Sequence, residues 1–371
     1  MDGQLRHVLM TVDAVGGVWT YALDLATGLA SAGIRTSLAV LGPSPAADQI
    51  AEAEAVPGLA LINTGLPLDW TAVDAETLDR AAANVRALAN DLAVDLVHLN
   101  APALAGPERF AQPVISVAHS CLATWWSAVR RGPPPDDFRW RIQAHWRGLM
   151  ASDAVITPSG AFADDTMRAY ETVRPFVVPN GRRAEPLAGD HTRVGVVTAG
   201  RLWDDGKNVE TLDRAAGRLA VPLRAIGPQG GPHGEYRGLR HATALGRRPA
   251  EAVRAELRSA AVFASASLYE PFGLGVLEAA QAGCALVLSD IPTFRELWDG
   301  VALFAPPRDD AAFAEALQTL CDDAEQRQAM AEAARKHAAR FTVEAMTAGV
   351  LDVYATLTPG ACLSAKQEVA A

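Results

Sequence analysis

The segment Glu270-Pro271-Phe272-Gly273-Leu274-Gly275-Val276-Leu277-Glu278 decides the fold class. An apolar run at 262–267 precedes it and predicts a buried strand, and the pattern at 277–283 predicts a helix that ends at a glycine. A strand, a glycine-bearing turn and a helix in this order form the repeating unit of a parallel α/β sheet, whose ligands bind where the strands end. Backbone N–H groups at a helix start favour anions, and Glu270 and Glu278 offer acceptors for hydroxyls beside a phosphate. The alternative is a solvated loop acid and an ordinary acid on a helix surface.

The same alternation of short apolar runs and helical periodicity continues along the chain and predicts a parallel α/β architecture. The first series of predicted strands is 7–12, 34–41, 95–99, 113–118 and 153–157. The second series is 194–198, 223–226, 262–266, 285–289 and 301–304. A turn-rich stretch around residue 185 separates the two series, so we expect two domains, 1–185 and 186–342. The last helical pattern, from Val343 to about Leu357, is expected to cross back, so 343–371 are assigned to the first domain.

The composition narrows the function classes. A chain of 371 residues fits two domains of average size, and a net charge of −10 argues against general nucleic-acid binding. The four cysteines lie far apart in the sequence, which favours neither a disulfide framework nor a metal site and suggests a reducing compartment. They are Cys121, Cys284, Cys321 and Cys362. With no leader-like segment and no apolar run of membrane-spanning length, we expect a cytoplasmic protein, with the inner membrane face as a site of peripheral contact.

Two glycine-bearing loops repeat the pattern of the opening segment. The first predicted strand is followed by Gly16-Gly17 and then by a helix, which lets a ligand approach the backbone near helix N–H groups. The spacing of these glycines differs from that of the G-x-G-x-x-G dinucleotide-binding fingerprint. The alternative interpretation is a plain tight turn that binds no ligand. After residue 198, the loop from Gly200 to Asn208 carries Arg201 and Lys207, a bidentate fork and a movable point charge that suit a diphosphate. The alternative is a pair of solvated surface cations.

His119 follows the apolar run at 113–118 and is therefore expected at the carboxyl end of a strand, where such folds bind ligands. A structural histidine is the alternative interpretation.

The segment 125–147 is rich in tryptophan and arginine and poor in acids. It suggests either an acceptor surface that stacks on sugars or holds anions, or a membrane-interface patch. The competing interpretation is a helix with its tryptophans packed inward and its arginines in water. The run Gly132-Pro133-Pro134-Pro135 excludes one continuous helix.

Taken together, these motifs resemble the retaining, nucleotide-sugar-dependent glycosyltransferases of family 4. The resemblance rests on Gly16-Gly17, His119, Asn180-Gly181, the Arg201/Lys207 loop and the two glutamates of the opening segment, and it covers most of the chain. It implies the GT-B fold, in which two Rossmann-like α/β/α domains face each other across a cleft, and transfer of a hexose to an acceptor hydroxyl of a glycan, lipid or small molecule.

The resemblance also implies a role for each residue. Arg201 and Lys207 hold the donor diphosphate and stabilise the leaving group, and His119 contacts the donor hexose. Glu270 binds sugar hydroxyls and Glu278 binds ribose hydroxyls. Backbone N–H groups at Gly16, Gly17, Phe272, Gly273 and Leu274 meet phosphates and sugar hydroxyls.

With two cations at the diphosphate, no metal and no separate cofactor are expected. The chain departs from the commoner family pattern at Ser120, in the length of the Arg201/Lys207 loop, and at Val18-Trp19-Thr20. A non-hydrolysing sugar-nucleotide epimerase and a catalytically silent nucleotide-sugar-binding protein are the alternative functions.

Overall fold

The computed structural model describes residues 5–184, 193–231 and 234–358, and the chain divides into two compact units. Unit 1 contains the chain up to Trp126, Gly132–Gly181 and the chain from Val343 onward. Unit 2 contains Ser127–Arg131 and Arg182–Thr342. The chain passes from unit 1 to unit 2 between Gly181 and Arg182, whereas the boundary predicted at 185 and 186 lies outside the described residues.

Unit 1 is built on a seven-stranded parallel sheet with the order β3-β2-β1-β4-β5-β6-β7. The strands are β1 His7–Asp13, β2 Arg35–Leu41, β3 Leu59–Asn63, β4 Leu96–Leu99, β5 Val114–Val117, β6 Ala154–Thr157 and β7 Phe176–Val177. The five predicted strands of this unit are confirmed to within one residue at each end. They were recognisable because nearly all their residues are buried under helices on the two faces of the sheet.

The helices of unit 1 include one from the far end of the chain. They are α1 Gly17–Ser31, α2 Ala47–Glu54, α3 Ala75–Asp91, α4 Leu122–Val129, α5 Asp136–Ala151, α6 Gly160–Tyr170 and α13 Val343–Leu357. The last three residues of α4 group with the short segment assigned to unit 2. Helix α13 packs against α1, and its Tyr354 is buried in the same hydrophobic core as the residues of β1. A Cβ at Gly28 of α1 would overlap Thr347 of α13, so the glycine permits this close approach. The predicted return of the last helix to the first domain is therefore confirmed.

Unit 2 is built on a six-stranded parallel sheet with the order β10-β9-β8-β11-β12-β13. Its strands are β8 Val196–Ala199, β9 Leu223–Ile226, β10 Thr243–Gly246, β11 Val262–Ser265, β12 Ala285–Ser289 and β13 Leu303–Ala305. Its helices are α7 Val209–Ala216, α8 Ala250–Ser259, α9 Leu274–Gln281, α10 Pro292–Trp298, α11 Asp310–Asp322 and α12 Ala324–Ala338. The predicted strand at 194–198 starts two residues too early, and the one at 301–304 likewise begins too early, because turn residues precede each strand.

Each sheet reverses its direction of growth at one point, and the candidate site residues follow the strands around that point. In unit 1 the order changes between β1 and β4, and in unit 2 it changes between β8 and β11. Loops that leave the carboxyl ends of the two strands at such a point diverge to opposite faces of the sheet and leave a crevice between them. Gly16-Gly17 follows β1, Arg201 follows β8 and Glu270 follows β11, while His119 follows β5, the neighbour of β4.

Candidate functional site

The loop between β8 and α7 is fixed by a buried carboxylate. Asp204 is 9% exposed, and its Oδ1 accepts the N–H of Gly206 at 2.8 Å. Its Oδ2 accepts Nη2 of Arg201 at 3.0 Å, which orients the guanidinium. The Nε–H of Arg201 is buried and has no hydrogen-bond partner among the described residues. Since a buried N–H without an acceptor costs free energy, this donor is suited to an oxygen that a ligand brings.

Lys207 and Glu270 form an ion pair across the loops after β8 and β11. The Lys207 side chain is 24% exposed and that of Glu270 is 15% exposed, so water screens their interaction only in part. The structure thus brings together two residues that the sequence had identified in separate motifs. Asn208, the N-cap of α7, adopts a left-handed conformation (φ 50°). Its side-chain amide donates to the carbonyls of Ala266 and Pro307, which holds the end of this loop.

The turn after Glu270 leads directly into α9. Gly273 is the N-cap of this helix with φ 92°, in the left-handed region, and α9 begins at Leu274. The predicted start at 277 is wrong because the glycines at 273 and 275 hid the first turn of the helix. Gly273 has no side chain with which to cap the helix, so the N–H groups of the first turn face the end of the loop. Phe272 is 3% exposed and its ring contacts Phe341 edge-on, with the ring centroids 5.6 Å apart, which anchors the turn in the core of unit 2.

Glu278 lies in the middle of α9 and forms an ion pair with Arg182, with Nε and Oε1 separated by 3.0 Å. Arg182 was not recognised from the sequence as a site residue, although it directly follows the Asn180-Gly181 turn. The two side chains are 20% and 30% exposed. The carboxylate of Glu278 is therefore oriented by a cation and remains accessible to solvent.

In unit 1, Gly16 is the N-cap of α1 with φ 90°, and Gly17 is the first residue of the helix. Oδ1 of Asp13 accepts the N–H of Val15 at 2.8 Å and tightens the turn between β1 and α1. Gly16 and Gly17 are exposed. The turn is therefore tight, as the structural interpretation requires, and its backbone is accessible, as the ligand-binding interpretation requires.

His119 is half-buried, and its Nε2 lies 2.8 Å from Oδ1 of Asn100, the residue that follows β4. Burial, together with a smaller contribution from the charge of His98, lowers the pKa of His119 to about 3. The ring of Tyr21, on α1, contacts His119 edge-on with 4.5 Å between the ring centroids. Asn100 and Tyr21 were not recognised from the sequence, because an asparagine after a strand and a tyrosine within a helix carry no signal of their own.

The segment 125–147 folds into the end of α4 and most of α5, interrupted at the glycine–proline run as predicted. Arg141 donates to the carbonyls of Asp69 and Ala72, and Arg147 pairs with Asp79 at 3.3 Å. These arginines therefore hold α5 in unit 1. Trp146 is 46% exposed, and contact of this segment with an anionic acceptor or a membrane stays a prediction.

Within 5–184, 193–231 and 234–358, no group of three or more His, Cys, Asp or Glu side chains is arranged to hold a metal ion. In the same ranges no helix has the length and apolar character needed to cross a bilayer. Cys121, Cys284 and Cys321 are free thiols, and Cys362 lies outside the described residues.

Comparison with known families matches two successive stretches of the chain. The family model described as Glycosyltransferase Family 4 matches residues 15–185, and the one described as Glycosyl transferases group 1 matches residues 193–323. The two stretches contain the predicted site residues of unit 1 and unit 2, respectively.

Individual proteins are similar over nearly the whole chain. A D-inositol 3-phosphate glycosyltransferase of Xylanimonas cellulosilytica is 26% identical over 92% of each chain. A glycogen synthase of Mycobacterium tuberculosis is 26% identical over 87% of this chain and 86% of its own. The crystal structure of Anabaena Alr3699/HepE in complex with UDP-glucose has a TM-score of 0.71 at 20% identity, and covers 95% of this chain and 100% of HepE. That structural likeness establishes the same fold.

Proposed function

Because this chain belongs to the family 4, group 1 glycosyltransferases and has the two Rossmann-like units of the GT-B fold, we propose that it moves a hexose from a nucleoside-diphosphate sugar to an acceptor hydroxyl with retention of configuration. The observation that supports this most directly lies in unit 2. Arg201, whose Nε–H has no partner within the described part of the chain, and Lys207 follow β8, next to the start of α9, whose N–H groups favour anions. This is an arrangement that can neutralise a diphosphate.

The chemistry that these residues perform is mainly charge stabilisation. As the bond between the anomeric carbon and the diphosphate breaks, negative charge grows on the leaving phosphate, and Arg201 and Lys207 stabilise it. Glu270 accepts hydrogen bonds from the hexose and Glu278 from the ribose, which positions the anomeric carbon for attack. His119 contacts the hexose. For retention, the acceptor hydroxyl attacks from the face that the diphosphate leaves, and the departing phosphate oxygen accepts its proton.

The two cations make a metal ion unnecessary for neutralising the diphosphate, so we propose a metal-independent reaction without a resident cofactor. The expected result is transfer at an unchanged rate in the presence of a chelator. Restoration of a lost activity by Mg²⁺ or Mn²⁺ after chelation would contradict this part of the proposal.

The donor is tested by thermal unfolding in the presence of UDP, GDP, ADP and their sugar conjugates. A ligand at a hundred times its dissociation constant stabilises the native state by about 2.7 kcal/mol, which should raise Tm by about 5–10 °C. Lys207→Ala should reduce this shift, and Lys336→Ala, which removes an exposed lysine on α12, should preserve it. If no nucleoside diphosphate changes Tm at millimolar concentration, the proposed function is wrong.

The stereochemistry is tested on the product formed with the best donor. Proton NMR of the anomeric hydrogen should show the configuration of the donor sugar at the earliest time points. An inverted product would refute retention and leave glycosyl transfer standing.

A further inference from the structure

A buried asparagine holds His119 in a defined orientation. Asn100 is 8% exposed, and its Nδ2 donates to the carbonyl oxygen of Thr11 on β1 at 2.8 Å. Its backbone N–H donates to the hydroxyl of Thr11 at 3.0 Å. A carbonyl oxygen only accepts, so the amide nitrogen of Asn100 faces Thr11 and its Oδ1 faces His119.

This arrangement determines which nitrogen of His119 carries the hydrogen. Oδ1 of Asn100 lies 2.8 Å from Nε2 of His119 and can only accept, so Nε2 must be the donor. Burial lowers the pKa of His119 to about 3, so the ring is neutral near pH 7. A neutral imidazole with its hydrogen on Nε2 has its free lone pair on Nδ1.

The groups around the ring favour the same neutral state. Tyr21 is 2% exposed, and burial raises the pKa of its hydroxyl, so it stays uncharged. His98 is fully buried with its pKa lowered to about 4, and its Nδ1 lies 2.7 Å from the hydroxyl of Tyr354 on α13. Burial likewise raises the pKa of Tyr354. None of these three neighbours supplies a negative charge that would stabilise a charged His119.

We infer that Asn100 is a positioning residue for glycosyl transfer: it holds His119 as the Nε2–H tautomer, so that Nδ1 accepts a hydrogen bond from a hydroxyl of the donor sugar. The structural half of this inference concerns unit 1 alone. The second half rests on the proposed function, because it needs a sugar hydroxyl as the donor. Asn100 acts through His119 and does not itself touch the substrate.

The tautomer is tested without any substrate. Long-range ¹H–¹⁵N correlation spectra of the full chain, labelled at its eight histidines, distinguish a protonated from an unprotonated ring nitrogen. The spectrum of His119→Gln assigns the His119 signals by their disappearance. We expect Nε2 protonated and Nδ1 unprotonated from pH 8 to pH 5. An Nδ1–H tautomer or a charged ring at pH 7 would overturn the inference.

The functional half is tested with Asn100→Asp, matched by Asn84→Asp on the exposed face of α3. A carboxylate next to Nε2 stabilises the imidazolium, so His119 should titrate at a higher pH and Nδ1 should change from acceptor to donor. At pH 7 we expect kcat about 100-fold lower in Asn100→Asp, with the KM of the donor within about threefold and partial recovery of kcat above the new pKa. Asn84→Asp should behave like the parent.

Two outcomes separate this inference from the proposed function. The predicted tautomer together with no turnover of any nucleotide sugar would refute the proposed function and leave the structural half intact. Turnover together with an unchanged kcat in Asn100→Asp between pH 6 and pH 9 would refute the positioning role alone.

Discussion

The ion pair between Lys207 and Glu270 offers the sharpest perturbation of the site. In Lys207→Ala the diphosphate loses one of its two proposed cations. Removal of a single preorganised charge-stabilising donor from an active site lowers kcat by about 10²–10³-fold, which corresponds to about 3–4 kcal/mol in the transition state. Because leaving-group charge develops mainly in the transition state, we expect the loss in kcat to exceed the change in KM.

The same substitution also changes stability, since Glu270 keeps a carboxylate that is only 15% exposed. An acid left without its cation in this setting should cost about 1–2 kcal/mol, less than a fully buried charge because both side chains keep some contact with water. Glu270→Gln in the Lys207→Ala background should recover part of that loss. A double-mutant cycle then gives a coupling of about 1 kcal/mol between the two side chains.

The assay is release of nucleoside diphosphate under single-turnover conditions with the donor identified by thermal unfolding, combined with urea unfolding of each variant. Lys336→Ala serves as the matched control, because Lys336 is exposed on α12 and does not belong to the candidate site. A fall in kcat of less than about fivefold in Lys207→Ala would refute the assignment of leaving-group stabilisation to this residue. A large fall that Lys336→Ala shares would point to a general effect of lost charge.

Three further predictions concern the scaffold. Gly28→Ala should destabilise unit 1 by about 1–3 kcal/mol, because a Cβ at this position overlaps Thr347 of α13. A Tm equal to that of the parent would show that α1 and α13 can move apart at little cost in free energy. Asp213 is 7% exposed and accepts the backbone N–H groups of Arg240, His241 and Ala242. Asp213→Ala should therefore lower the free energy of unfolding, measured with urea, by about 3 kcal/mol. Asp352→Ala, on the exposed face of α13, is the control and should be as stable as the parent. Burial lowers the pKa values of His98, His119 and His145 in the folded state to about 4, about 3 and about 4. Because an unfolded histidine, with a pKa of about 6.5, binds its proton at higher pH, the free energy of unfolding should fall as pH decreases from 6.5 to 4, by about 2 kcal/mol for each histidine at pH 5. Urea midpoints that do not change between pH 7 and pH 5 would contradict this.

Burial determined which strands could be predicted from the sequence. The strands recognised as apolar runs are mostly inner strands with nearly every residue buried, as in β1 and β12. The three that were missed, β3, β7 and β10, all lie at sheet edges. Their side chains are partly or fully exposed, so they carry neither an apolar run nor a clear alternation. Strand pairing with an inner neighbour, which sequence periodicity does not encode, is what makes them strands.

The candidate site was predictable where local sequence places a residue after a strand. Gly16, Arg201 and Glu270 each lie in the loop that follows a predicted strand, and the structure places all three loops at carboxyl ends of strands. Arg182 and Asn100 could not be predicted, since each matters through a partner that is distant in the sequence and close only in the folded structure. For Arg182 that partner is Glu278, about a hundred positions along the chain. Such residues are recognised by the short distance to their partners in the folded structure.

The ion pairs of unit 2 suggest how charged side chains would exchange their partners within the protein for a bound sugar donor. Arg201 pairs with Asp204 and Lys207 pairs with Glu270, so these four charges sum to zero. A diphosphate that enters this arrangement competes with two carboxylates for the same cations. On the proposed function, Asp204 retains the N–H of Gly206 as a donor when Arg201 turns to phosphate, whereas Glu270 needs new donors, which the sugar hydroxyls would supply. A nucleoside diphosphate without its sugar would leave Glu270 with fewer hydrogen-bond donors. On the proposed function, the intact nucleotide sugar should therefore bind more tightly than the nucleoside diphosphate alone, and Glu270→Gln should reduce this difference in affinity.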